Sequence, residues 1–458
     1  MAVIRETVPT TAEGPTTDRF VIDDPACGGA STSRVRRVAS RALGGLLVLL
    51  FLEPSSARAQ VKPGDVIAAK DADRVKDLVS PGVDWLVRRG MRMTIIPFQK
   101  TEDPPAFREA TEKYAGQTKL GANGLIDEST YVAGRPFPKI DVNDPQAAIK
   151  IMYNYERSRY ATDDLTTKFL DAETGVIDTK SAQQQFSIER HFIVGAIRLL
   201  KYIGRTEHPP IPALPNPNGF LVKAGQYPIL EPFDLKGVGG LVYRYLDPTK
   251  IEETWMYMPS LRRVKRISTA QRSTALYGQD VDVDSYGGFA GQIPSFDWKL
   301  LGEKPMLASG HGANLPPVPC KDDGGVTFCD TWEVVPHVYA IEGRSKAAGY
   351  AYSKRILFID AETSYVAYTD LYDQAGQLWR VAVNYGRYST KPNPRATLEY
   401  PFPRGYMPGF VMADIQLSHA TRAALPGIGF PDEAGWYVNQ GDTDDQWFAI
   451  SALIAGGR

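Results

Sequence analysis

From Leu241 onward, apolar and polar positions alternate with a period of two. Leu241-Val242-Tyr243-Arg244-Tyr245 is followed by Asp247-Pro248, then by Thr254-Trp255-Met256-Tyr257-Met258, Pro259-Ser260 and the run Leu261 to Ile267. Period-two runs joined by short turns predict an antiparallel meander. Further strands are expected at 331–341, 354–359, 365–372 and 378–388, separated by Asp360-Ala361-Glu362-Thr363 and Asp373-Gln374-Ala375-Gly376. So many consecutive strands require a strongly curved sheet or a barrel.

Upstream the period changes. Asp103-Pro104-Pro105 offers a helix cap with proline in the first turn, and Phe107, Ala110 and Tyr114 follow at spacings of three and four. Asp144-Pro145 repeats the signal, ahead of a helix carrying Ala148, Ile151, Met152 and Tyr155 on one face. A third helix is expected over Ala182 to Tyr202. The segment His208 to Gly219 is too rich in proline for a helix or central strand and reads as a rigid connector. These boundaries give a helix-rich region at 60–205, a connector at 206–219 and a strand-rich region at 220–458, hence an α+β fold.

Residues 1–59 have the order of a secretory leader. Arg34, Arg36, Arg37 and Arg41 precede an apolar run from Ala42 to Leu52, and Ala57-Arg58-Ala59 supplies small residues for cleavage near Ala59. A membrane helix needs about 20 apolar residues, more than this run provides. Export to a bacterial periplasm is therefore expected. The leader carries seven of the 52 Lys+Arg and six of the 53 Asp+Glu, leaving 45 against 47, with no basic excess for nucleic acid.

Cys27 falls in the leader, leaving Cys320 and Cys329 as a pair around Asp322-Asp323-Gly324-Gly325. An oxidising compartment favours a disulfide; a zinc site is the rival, with His311 its one further candidate ligand. The sequence contains no G-x-S-x-G, H-E-x-x-H or Walker pattern, and His191, His208, His311, His337 and His419 are scattered. No catalytic residue, metal or cofactor is expected. Asp280-Val281-Asp282-Val283-Asp284 opens like a calcium loop, but Ser285 replaces the turn glycine and Gly291 the bidentate glutamate; a strand with one acidic face is the simpler account. The cluster Arg262, Arg263, Lys265, Arg266 and Arg272 reads either as a charged edge strand or as a contact for anionic headgroups or a partner. Trp255, Tyr257, Trp298, Trp332, Tyr339 and Trp379 line a wide apolar cavity if the sheet is open, or fill a core if it is closed.

The run Thr254 to Ser268, with Gln271-Arg272-Ser273 and Gly278-Gln279-Asp280, resembles the signature of the Gram-negative family called domain of unknown function 1329. Leu78 to Val83, Gly134-Arg135-Pro136-Phe137-Pro138 with Asp141, and Met412 to Gln416 before His419-Ala420-Thr421 agree with it. The strand-rich half is also similar to outer-membrane lipoprotein-sorting carriers. That resemblance implies an incomplete antiparallel barrel, open on one side, with helices covering a hydrophobic cavity. It further implies a non-enzymatic carrier of lipid, lipoprotein or other hydrophobic cargo, serving an exporter of the resistance-nodulation-division (RND) type or the outer membrane. Two rivals are kept: an exported hydrolase of lipid or polysaccharide using Asp280, Asp282 or Asp297, and an adaptor that binds an envelope complex through the Arg262 to Arg272 cluster.

Overall fold

The computed structural model describes residues 61–157, 160–178, 185–268, 271–425, 432 and 434–457, so the leader lies outside the described residues. The chain opens with β1 (Val66–Ile67), α1 (Ala72–Val75), α2 (Pro81–Arg88), β2 (Met93–Ile95), α3 (Pro105–Tyr114) and α4 (Ala147–Glu156). A first series of strands follows: β3 (Asp164–Asp178), β4 (Gln185–Lys201), β5 (Phe220–Gln226), β6 (Ile229–Glu231), β7 (Gly239–Tyr245), β8 (Glu253–Met258) and β9 (Arg263–Ile267). The second comprises β10 (Phe296–Ala308), β11 (Asp330–Ser345), β12 (Lys354–Asp360), β13 (Val366–Tyr372), β14 (Leu378–Ser389), β15 (Arg404–Asp414), β16 (His419–Ala424) and β17 (Gly435–Val438). α5 (Ile450–Gly456) ends the described chain.

Each series is an antiparallel meander, and the two fuse where β16 pairs with β3. β17 continues that seam along the first part of β3, and β2 adds one parallel pairing with β11. The result is one large, mainly antiparallel sheet that stays open, with β9 at one end of the strand order and β10, next to β1, at the other among the described residues. The α+β expectation and the predicted strands at β7 to β9 and β11 to β14 are found.

The helix expected over Ala182 to Tyr202 is replaced by β4. Ile188, Ile193, Val194 and Ile197 are β-branched and stiff at χ1, and the segment pairs with β3 from Asp164↔Leu200 to Asp178↔Gln185. Local helical spacing yields to that long ladder. The sheet thus runs through both sides of the proline-rich connector.

Both faces of the central strands are buried, and alternation sorts their side chains. Phe358, Val381, Val383 and Val411 join one core with Val83, Leu86 and Val87 of α2. Leu357, Ile359, Ala382 and Met412 join the other with Ile151 and Met152 of α4. Ser80 caps α2 by accepting from the Val83 amide at 3.2 Å, with Pro81 in the first turn.

Because β9 and β10 stand toward opposite ends of the sheet, the connection between them must cross it. It does so beneath α4 as a strap, residues 271–295, held by polar side chains. Arg355 of β12 donates to the Asp284 carbonyl at 3.0 Å, and Arg380 of β14 to the Asp280 carbonyl at 2.9 Å. Tyr352 donates to Asp282 at 2.7 Å and Tyr350 to Asp284 at 2.9 Å. The expected strand with an acidic face is therefore an irregular segment with a 3-10 turn over Val283–Gly288. Its carboxylates are buried because each finds partners there: Tyr352 for Asp282, Tyr350 and Arg272 for Asp284, and His419 and Thr421 of β16 for Asp280.

Cys320 and Cys329 are joined in a disulfide closing a short hairpin loop. Closing a ring of about ten residues lowers unfolded-chain entropy by the equivalent of about 2.5 kcal/mol. Cys320→Ser with Cys329→Ser is expected to lower the unfolding free energy by about that amount in urea titrations; an unchanged midpoint would contradict it.

Candidate functional site

A groove of about 480 Å³ opens between the helical cover and the sheet, lined by residues of α3, α4, β11 and the turn after β12. Phe137, Ile140, Ile151 and Tyr339 are among its apolar lining residues, with Lys100, Arg108 and Arg135 beside Glu102, Asp103, Asp360 and Glu362, and most of the exposed lining is polar.

Arg135 organises one wall. Its guanidinium donates to Ser364 Oγ at 3.1 Å, to the Glu362 carbonyl at 2.7 Å and to Asp103 at 3.3 Å, tying the turn after β12 to the start of α3. That turn is built by Asp360, which accepts from the Glu362 amide at 3.0 Å and from Thr363 Oγ1 at 2.6 Å. Asn154 of α4 exchanges hydrogen bonds of 2.9 and 2.8 Å with the Phe137 backbone, fixing the Gly134 to Pro138 segment. Gly134 sits at φ +81°, and a Cβ there would meet Thr111 N at 2.5 Å, so only glycine fits.

A smaller cleft of about 30 Å³ adjoins the groove, sharing Thr101, Asp360 and Glu362. There His311 lies 2.7 Å from Glu333 and 3.3 Å from Thr101 Oγ1. The hydroxyls of Tyr365 and Tyr406, both lining residues, have no partner among the described residues. Burial raises both phenols far above their ordinary range.

Of the six aromatic candidates, Tyr339 lines the groove. Trp298 packs against Phe289 at 5.0 Å, and Trp379 against Tyr352 at 5.3 Å while donating to Asp414 at 2.8 Å. Trp332 is buried on the opposite side, in the core with α2. Trp255 and Tyr257 share a cluster with Phe448 and Leu453 near the C terminus. The structure thus distributes them over three clusters rather than around one cavity.

The alternate positions of the same strands form a second row that the aromatic residues overshadow in the sequence. Leu199, Ala224, Val242, Thr254 and Ile267 stand directly opposite one another across β4, β5, β7, β8 and β9, and all are half-buried. Period two predicts this row, but its four aliphatic side chains and Thr254 are less conspicuous than the neighbouring tryptophan and tyrosine.

Arg262, Arg263, Lys265 and Arg266 are exposed at and beside the β9 edge, whereas Arg272 is buried against Glu252 and Asp284. Asp280 and Asp282 are buried in the strap and Asp297 is exposed beside Lys346, so the three carboxylates considered for hydrolysis do not share a cleft.

A family model described as "Protein of unknown function (DUF1329)" matches residues 66–447. The uncharacterized protein PA3922 of Pseudomonas aeruginosa is 26% identical over 349 residues, spanning 71% of this chain and 69% of that protein. A putative outer membrane lipoprotein-sorting protein domain from Vibrio parahaemolyticus is similar with a TM-score of 0.44 and 15% identity, over 67% of this chain and 98% of that one. A DUF1329 family protein from Desulfovibrio piger gives 0.41 and 13% over 66% and 96%. LolA superfamily protein NE2245 from Nitrosomonas europaea gives 0.36 and 14% over 67% and 98%. Among the described residues no helix is long and apolar enough to cross a membrane.

Proposed function

We propose that this chain, which belongs to the DUF1329 family, is a carrier that shelters the apolar part of an amphipathic guest within a Gram-negative envelope. The observation that carries the reading is the groove between helices and sheet. Its volume of about 480 Å³ lies inside the usual range for small-molecule sites, about 300–1,000 Å³. Apolar side chains set among charged ones suit a guest that has a hydrocarbon part and a polar head. Burying one CH₂ contributes about 0.8 kcal/mol, so even half of a sixteen-carbon chain supplies about 6 kcal/mol before ordering costs. Lipid, a lipoprotein acyl chain or another amphipath is the proposed cargo. The leader delivers the protein to the periplasm in this reading, and an RND-type exporter or the outer membrane receives the cargo.

Ala361 lines the groove and is half-buried, so Ala361→Trp fills space without opening the core. The variant is expected to bind a fluorescent fatty acyl probe at least tenfold more weakly while melting at the same temperature. Probe binding absent from the unmodified protein, together with lipid-free solvent extracts of natively purified material, would overturn the carrier reading.

A further inference from the structure

Two neighbouring loops hold apolar side chains in water beside exposed cations. The β6–β7 connection and the β8–β9 turn lie side by side, since a Cβ on Gly237 would come within 3.0 Å of Pro259. Phe233 of the first loop is 87% exposed and Leu261 of the second 48% exposed. Lys236, Arg262 and Arg263 are exposed in or next to these loops, and Lys265 follows on the edge strand. Among the described residues none of these four cations makes an ion pair or side-chain hydrogen bond. The nearby acids are largely committed elsewhere: Asp234 to Arg190 at 2.6 Å and Glu253 to Arg266 at 3.1 Å, leaving Glu231.

Charges alone would guard the β9 edge against pairing with another chain. Edge protection gives no reason for a phenylalanine held almost wholly in water on the adjacent loop. We propose that this tip docks on the surface of an anionic phospholipid bilayer. Phe233 and Leu261 enter the interfacial layer, and Lys236, Arg262, Arg263 and Lys265 meet lipid phosphates. The inference stands on the loops alone and does not depend on what the groove holds.

The test is co-sedimentation of the purified protein with vesicles of phosphatidylcholine, with and without phosphatidylglycerol. Binding is expected only with phosphatidylglycerol and is lost at high salt. Each basic residue near an anionic surface raises partitioning about fivefold, so the Arg262→Glu, Arg263→Glu double variant should bind roughly 25-fold more weakly or worse. Phe233→Ser should weaken binding several-fold, and Phe233→Trp should show blue-shifted emission only with anionic vesicles. All three substituted positions are exposed, so unchanged melting temperatures are expected. Equal binding to neutral vesicles, undiminished binding by the charge-reversed variant, or no binding to either vesicle overturns the proposal.

Discussion

Arg272→Ala is expected to lower the unfolding free energy by about 3–5 kcal/mol. Arg272 is 7% exposed, and its guanidinium pairs with Glu252, donates from Nε to Asp284 at 2.6 Å and from Nη2 to the Ala290 carbonyl at 2.9 Å. Glu252 and Asp284 are 2% and 3% exposed. Removing the arginine leaves two carboxylates in the interior with less compensation, Arg244 for one and Tyr350 for the other. Desolvation of a charge is costly only while it lacks partners, so truncation is far worse than the net worth of the pair. Arg272→Lys keeps the charge but loses the planar fork, and should fall between alanine and the native residue. Urea unfolding followed by tryptophan fluorescence measures this. A loss under about 1 kcal/mol would mean that the strap is held by other contacts.

The second large effect concerns Asp370 on β13. It is wholly buried, accepting from Ser80 Oγ at 2.8 Å and from the Gly82 amide at 3.1 Å. Burial outweighs these two bonds and pushes its carboxyl up to about 7, from an ordinary value of 3.8. Between those two pH values the folded state holds a proton that the unfolded chain has released. Stability therefore falls as pH rises from about 4 to about 7, by up to about 4 kcal/mol from this group, and the penalty is constant above that range. Burial also raises Asp282, Asp323 and Asp330, which contribute with the same sign. The difference between native protein and Asp370→Asn isolates Asp370. The variant should gain relative stability steadily from pH 4 to pH 7; parallel curves would refute the assignment.

Strands in the second half were legible because short turns such as Asp360 to Thr363 punctuate clean alternation. β4 was not, because Phe186 to Leu200 carries apolar residues at both periods and only its ladder with β3 decides between them. The site was legible in pieces. Arg135 and the Asp360 turn stand out in the sequence, yet nothing local indicates that a single guanidinium joins them across more than 200 residues. The basic cluster looks like one unit in the sequence, but the strap turns inward at Arg272, so that arginine serves the interior while Arg262, Arg263, Lys265 and Arg266 face water. Aromatic side chains were the most conspicuous candidates for a cavity, and size is also what makes them effective core filler.

The seam between β3 and β16 brings Ala172 opposite Ala423. During synthesis at about 5–20 residues per second, the stretch between them takes on the order of 10–50 seconds to appear. Throughout that interval one edge of β3 has no strand to zip against and invites mispairing with other nascent chains. A sheet sewn together from distant ends thus needs protection from premature folding until its last strands have been made.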